Sequence, residues 1–344
     1  MLILGLETSC DETAAAVVQD GTRVRSSIVA SQHELHAPYA GVVPEIASRA
    51  HLERLLPVLR ESLRIGGASF DDLDAVAVGH RPGLIGSLLV GVSAAKALSW
   101  RLGVPLIGID HVAAHLHAGL LDAPPVRWPA LGLVVSGGHT SLFLLESARQ
   151  PRLLGRTLDD AVGEAYDKVA TMLGLAHPGG PKVDRLANEG NDRTFDFPIA
   201  LPQRDNLDFS FSGLKTAVLY TVRGRPAPGA SALPPAPPSM APGRAADIAA
   251  SFQRAAVAAI VRKVRLALDA FDVPTLLVGG GVSANSRLRR ELEELAADRL
   301  DLRLPPIQYC LDNAAMIAGA AHARLVDGAC DALDLSTSTS SAIA

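Results

Sequence analysis

The chain has 344 residues, 48% of them hydrophobic, which exceeds the size one buried core usually serves and points to two lobes. A net charge of −4 and a pI near 6.2 exclude a globally basic nucleic-acid binder, so any such contact is a local patch or is shared with partners. Cys10, Cys310 and Cys330 are far apart, odd in number and lack C-x-x-C spacing, so neither a disulfide framework nor a cysteine zinc site is suggested; with no basic leader and no apolar run of membrane length, a soluble cytoplasmic protein without a membrane role is expected.

Residues 2–6 read as a short apolar strand, followed by the polar turn Glu7-Thr8-Ser9-Cys10-Asp11-Glu12-Thr13 and by strands at 14–18 and 23–30. A long amphipathic helix is predicted from Pro44, well placed in a first turn, to about residue 64. Then come a strand at 75–78, a glycine-rich loop at 79–86 to which no chemistry is given, an Ala-rich helix to Trp100 and an apolar strand at 105–109. Directly after that strand stands Asp110-His111-Val112-Ala113-Ala114-His115. The Ala- and Leu-rich residues that follow predict a helix, so His111 and His115 face the same way, one turn apart.

Two imidazoles on one turn can grip one metal ion, or can be ordinary buried histidines; a working site also needs a third ligand and an open position. His117 projects from another face. The zincin peptidase pattern requires Glu directly after the first His, where this chain has Val112.

The second half begins again with a strand at 130–135, the turn Ser136-Gly137-Gly138-His139-Thr140, and strands at 141–145 and 152–157. Helices are predicted at 159–173, 183–188, 245–271, 285–299 and 312–326, with strands at 275–278 and 302–304. The repetition of Leu-Gly-Leu plus a polar turn argues for two similar α/β lobes facing each other across a cleft, with ligands at the polar strand ends. The lobes are drawn as residues 1–125, joined by the returning helix 312–330, and 126–311. A Pro/Ala/Ser-rich loop at 224–243 and a tail at 331–344 are poor in structure.

Glycine-rich turns after strands let backbone N–H groups approach phosphate oxygens, and Ser136-Gly137-Gly138-His139 adds a hydroxyl and an imidazole. Gly279-Gly280-Gly281-Val282-Ser283-Ala284 formally meets the dinucleotide fingerprint, but Pro305-Pro306 stands where the ribose-binding acid belongs. Neither a P-loop nor a nucleophile elbow is present. Asp312 is either the N-cap of the last helix or, if the lobes close, the third ligand for His111 and His115; Asp11 and Glu12 could orient a nucleophile or take a proton.

Eight stretches in order resemble one family closely. They are Gly5-Leu6-Glu7-Thr8-Ser9-Cys10-Asp11-Glu12-Thr13, the Asp110 to His115 run above, Val135-Ser136-Gly137-Gly138-His139-Thr140, Gly163-Glu164-Ala165-Tyr166-Asp167-Lys168, Pro178-Gly179-Gly180-Pro181, Phe209-Ser210-Phe211-Ser212-Gly213-Leu214-Lys215, Gly280-Gly281-Val282-Ser283-Ala284-Asn285 and Asp312-Asn313-Ala314-Ala315-Met316-Ile317. The chain resembles the bacterial tRNA adenosine threonylcarbamoyltransferases, once called O-sialoglycoprotein endopeptidases, of the actin/hsp70/sugar-kinase superfamily. The resemblance implies an α/β fold of two duplicated actin-like ATPase (ribonuclease H-like) lobes around a central cleft.

It further implies that His111, His115 and Asp312 hold one divalent metal, iron or zinc. Val135, Ser136, Gly137, Gly138, His139, Asp167, Gly180, Asp184 and Asn285 would bind threonylcarbamoyl-AMP, an ATP-like nucleotide in the cleft. The implied reaction moves its threonylcarbamoyl group to N6 of adenosine 37 in tRNAs reading codons that begin with A; on chemical grounds Asp11 or Glu12 could help remove the amine proton. Implied partners are tRNA, a smaller paralogue (TsaB) that dimerises with the first lobe, and a separate ATPase (TsaE). The sequence departs from the family at Leu311 and in the Pro/Ala-rich insertion between Tyr220 and Ala245. A metal-dependent glycoprotein peptidase, a kinase of the same superfamily and a regulatory nucleotide-binding partner are the competing readings.

Overall fold

The computed structural model describes all residues except 40, 149–150, 204, 228–239, 298 and 344, so most of the Pro/Ala-rich loop lies outside the described residues. The N-terminal half runs β1 (Leu2–Glu7), β2 (Glu12–Gln19), β3 (Arg23–Ser31), α1 (His33–His36), α2 (Pro44–Gly66), β4 (Ala75–Arg81), α3 (Ile85–Leu102), β5 (Leu106–Asp110) and α4 (His111–His117). The C-terminal half runs β6 (Ala130–Val135), β7 (Thr140–Leu145), β8 (Pro151–Arg156), α5 (Val162–Met172), α6 (Gly180–Ala187), α7 (Ser212–Arg223), α8 (Pro242–Ala270), β9 (Thr275–Gly279), α9 (Ser286–Ala296), β10 (Asp301–Arg303) and α10 (Ala314–Val326).

Two five-stranded sheets form, with orders β3-β2-β1-β4-β5 and β8-β7-β6-β9-β10. In each, the first strand pairs antiparallel with the second and parallel with the fourth, so the duplicated sequence pattern is a duplicated topology. The cause is the same in both halves: three apolar runs joined by short turns make a meander, and each later strand reaches its place through a crossover helix.

Alternation along β1 assigns the helices to its faces. Leu4 and Leu6 pack with Leu55, Leu59 and Leu63 of α2 and Val92 of α3, while Ile3 packs with Ala314, Ala318 and Ala321 of α10. Helix α4 lies between the sheets: Ala114 and Ala118 face the first core, and Val112 and Leu116 pack with Val134 and Phe143 of the second. Val112 therefore fills space in the second lobe, where the general base of a zincin would otherwise stand.

Four expectations need correction. The predicted 159–173 helix starts only at Val162, because Asp159 and Asp160 are used elsewhere. Asp159 accepts hydrogen bonds from the backbone N–H of Phe211 and Ser212 and from both serine hydroxyls of Ser210 and Ser212. That anchor, 52 residues away along the chain, starts α7, which sequence periodicity did not predict as a helix. Asp312 is not the cap of α10; Asn313 is, accepting from Met316 N–H at 2.9 Å. The tail has no helix or strand, yet it is pinned: Ser341 Oγ and Ala342 N–H donate to Asp110 Oδ2, His80 Nδ1 meets Ser336 O at 2.9 Å, and Asp331 bonds the edge of β5.

Candidate active site

The strand-to-helix junction at Asp110 sets the geometry of the site. Asp110 Oδ1 accepts from the N–H groups of Val112 and Ala113, capping α4 so that His111 and His115 project together. Their rings lie 4.6 Å apart at 80°, and both Nε2 atoms approach one oxygen, Asp312 Oδ1, at 3.3 Å and 3.4 Å. With Asn313 acting as the cap, Asp312 is left free to point inward.

The close approach of α4 and α10 depends on two glycines. A Cβ at Gly279 would overlap the carbonyl oxygen of His115, and one at Gly5 would overlap that of Ala314. Only glycine lets β9 and β1 pass so near the backbone that carries the three residues.

Whether these residues fit a metal can be judged from the donors themselves. His115 is fully buried, and neither of its ring nitrogens makes a hydrogen bond; an unsatisfied buried group of this kind costs about 1–3 kcal/mol. Burial alone would lower both imidazoles. His115 does fall below its usual value, but Asp312 and Glu7 outweigh burial at His111 and raise it well above. Burial would raise Asp312, yet the two histidines hold it well below the usual carboxylate range. Two imidazole nitrogens converging on a carboxylate form the mixed N/O set a divalent transition metal takes, so the residues fit.

Glu7, which sequence reasoning did not single out, completes the arrangement. Its fully buried carboxylate meets His111 Nδ1 at 3.0 Å and accepts from Ser9 N–H, while Ser9 Oγ lies 3.3 Å from the same imidazole nitrogen. A carboxylate on Nδ1 fixes the tautomer and leaves Nε2 as the ligand atom. The available signal was an acid closing an otherwise apolar buried strand. Asp11 and Glu12 follow in the same turn, and with His33 they form a second group close enough to share a point, His33 Nε2 lying 3.7 Å from Asp11 and 3.4 Å from Glu12. Burial, then Asp11, pushes Glu12 up to about 8.

From His115 the site continues into the second lobe. A Cβ on Gly280 would overlap the Val135 carbonyl, so the loop after β9 lies against the end of β6. Ser136 N–H donates to His139 O, and His139 N–H to Ser136 Oγ, closing a tight turn whose Gly137 and Gly138 face open space. Burial, with His111 and His115 nearby, pushes His139 down to about 4 and keeps it neutral. Gly163 N–H donates to Ser136 O, which joins the turn to α5.

Further along, Asp167 Oδ1 accepts from Gly179 N–H at 2.7 Å, beside Gly180. Asp184 accepts from Ser286 N–H and Oγ and from Gln253 Nε2. Asn285 caps α9 through its carbonyl and donates Nδ2 to Gln253 Oε1 and Tyr166 Oη. The structure therefore brings His111, His115 and Asp312 together, joins the turn 136–139 to α5 through Gly163, and links Asp184 with Asn285 through Gln253. Gln253, buried on α8, was missed; its signal was an amide among the mostly apolar residues of that helix.

The comparisons with known proteins bear on what this lining serves. The model of the family described as tRNA N6-adenosine threonylcarbamoyltransferase matches residues 23–319. A tRNA N6-adenosine threonylcarbamoyltransferase of Moorella thermoacetica is 50% identical over 321 residues, 93% of this chain and 91% of the relative. One from Trichlorobacter lovleyi is 49% identical over 335 residues, 97% of this chain and 94% of the relative.

Among solved structures, HypF of T. kodakarensis matches with a TM-score of 0.59 at 15% identity, over 95% of this chain and 48% of its own. The (R)-2-hydroxyglutaryl-CoA dehydratase component A of Acidaminococcus fermentans matches with a TM-score of 0.52 at 14% identity, over 95% and 99%. These likenesses show the fold, two actin-like lobes of mixed sheet. No described helix is long and apolar enough to cross a membrane. The chain belongs to the tRNA N6-adenosine threonylcarbamoyltransferase family and is a transferase of tRNA modification, a reading favoured over peptidase or kinase.

Proposed function

We propose that the chain takes the threonylcarbamoyl group from threonylcarbamoyl-AMP and places it on N6 of adenosine 37 in tRNAs reading codons that begin with A. The observation that carries this reading is the convergence of buried His111 and His115 with Asp312 beside the open turn 136–139. In the reaction N6 attacks the carbamoyl carbon, the C–N bond forms, the bond from that carbon to the phosphate oxygen breaks, and AMP leaves with its electron pair. The amine proton passes to a base.

His111, His115 and Asp312 would hold one divalent iron or zinc ion, which when bound supplies Lewis-acid stabilisation of the charge growing on the acyl and phosphate oxygens. Within the turn of Val135, Ser136, Gly137, Gly138 and His139, the N–H groups of Ser136 and His139 hold the turn closed, and Gly137 and Gly138 would present theirs to the phosphate without side-chain obstruction. Asp167, Gly180, Asp184 and Asn285 would bind the adenosine, held in place by Tyr166, Gln253 and Ser286. Asp11 or Glu12 would take the amine proton, and a Glu12 raised to about 8 exchanges its proton close to neutral pH. Asp11→Ala should then lose turnover while adenylate binding stays intact; unchanged turnover removes Asp11 from this role.

The same reading gives the chain a cytoplasmic setting and two protein partners, the smaller paralogue TsaB and the ATPase TsaE. An apolar face suited to the paralogue is present on the first lobe, where Leu52 and Leu56 of α2 and Ile85 and Leu89 of α3 are exposed at one-turn spacings on packed helices. The test is mass spectrometry of tRNA nucleosides after incubation with threonylcarbamoyl-AMP, unmodified tRNA and both partners, beside His111→Ala. Threonylcarbamoyladenosine formed only by the wild type supports the transfer and the role of the histidine; no product from metal-loaded wild type overturns the proposal.

A further inference from the structure

A groove of about 620 Å³ between α8 and α9 carries Arg265, Arg287, Arg290 and Arg299 together with Glu291 and Glu294. Four guanidiniums face two carboxylates in a protein whose net charge is −4. Arg287 is already engaged, pairing with Asp192 at 2.8 Å and Glu291 at 2.7 Å. Arg265, Arg290 and Arg299 are exposed and make no ion pair with a described residue, and among the described lining residues Glu294 is the remaining counter-charge. A cation past a helix end is favoured by the helix dipole, which accounts for Arg299 but not for Arg265 or Arg290.

We propose that this groove binds the sugar-phosphate backbone of the tRNA substrate, outside the cleft that takes the adenylate; the inference deepens the tRNA reading and rests on it. The chemistry of the lining selects the partner class. Every cation is arginine, whose planar fork matches phosphate oxygens. Val261 and Leu295 are its only sizeable apolar members and it has no aromatic residue, so it lacks the apolar anchors of a protein interface. Nucleic-acid surfaces are polar, positive and wet. Without rings to stack on bases, the groove grips backbone and leaves base choice to the cleft.

Position agrees with that division of labour. Arg287, which lines the groove, stands two residues after Asn285, the cap of α9, so the groove begins within one helical turn of a residue proposed to bind the adenylate. The 11 residues of α9 extend it by about 16 Å, long enough to follow a short run of backbone phosphates.

The experiment measures binding of unmodified tRNA to the full chain by fluorescence anisotropy across a salt series. It compares wild type with the triple variant Arg265→Gln, Arg290→Gln, Arg299→Gln and with the triple Arg→Lys at the same positions. The expected result is a log–log salt slope shallower by about 2–3 for the Gln triple, with affinity about tenfold or more weaker at low salt. The Lys triple should keep most of the slope, and a tRNA with G at position 37 should show the same slope as the adenosine form.

An unchanged slope in the Gln triple, no wild-type binding at low salt, or competition by polyglutamate equal per charge to competition by RNA would each overturn the proposal. Nucleoside analysis of the same wild-type preparation, metal-loaded and supplied with threonylcarbamoyl-AMP and both partners, separates the two readings. Modified nucleoside with an unchanged slope sinks the groove alone, and a changed slope without modified nucleoside sinks the transfer reading while the groove stands.

Discussion

Replacing Glu7 by Gln tests whether the buried carboxylate sets the metal affinity of the site. Glu7 spends one oxygen on Ser9 N–H and the other on His111 Nδ1, 3.0 Å away, and solvent cannot reach either. An amide has one acceptor oxygen. If that oxygen faces Ser9, the NH₂ group faces His111, which must then accept at Nδ1 and carry its proton on Nε2, the atom needed for the metal. If the amide flips, two donors oppose each other at Ser9 without water between them. Either arrangement weakens the ligand, and removing such a supporting partner costs about 10–100-fold in metal affinity, or about 1.4–2.8 kcal/mol. The assay is competitive titration of zinc and of iron against a chelator with wild type and Glu7→Gln, alongside thermal unfolding of the metal-stripped proteins. Equal metal affinities in two folded proteins would refute the reasoning.

Three further outcomes are expected. Asp312→Ala removes the oxygen that both imidazoles approach, and elemental analysis after purification should find it largely metal-free; wild-type metal content would remove Asp312 from the ligand set. Gly5→Ala should lower the unfolding temperature and also reduce metal content, because the new methyl group meets the Ala314 carbonyl at the start of α10, and backbone cannot yield as a side chain can. Glu12 carries a pH signature: its folded value of about 8 lies above its ordinary 4.5, so across that window the folded state keeps a proton that the unfolded state has lost. Its contribution to stability therefore falls as pH rises from about 4.5 to about 8, by at most about 1.4 kcal/mol per unit. In chelator-treated samples Glu12→Gln should gain on wild type in urea midpoint between pH 5 and pH 8, and parallel midpoints would contradict the assignment.

The amino-acid sequence by itself determined the elements whose cause is local. Apolar strand runs, Pro44 at the start of α2 and the repeated Leu-Gly-Leu turn predicted two like lobes, and both sheets have the same strand order. Spacing on one helical turn paired His111 with His115 before any contact was known. What it left open was every choice made by residues distant in the chain. Asp312 reads from sequence as cap or ligand, and Asn313, its neighbour, takes the cap. Helix α7 escaped because its starting N–H groups are satisfied by Asp159, which no local window contains. Glu7 and Gln253 gained their roles only when folding excluded water around them, since a buried polar group is bound to find a partner and an exposed one is not. The placement of α4 between the two sheets is likewise tertiary: its alanine face and its Val112 and Leu116 face each need an apolar surface, and only the closed pair of lobes supplies both.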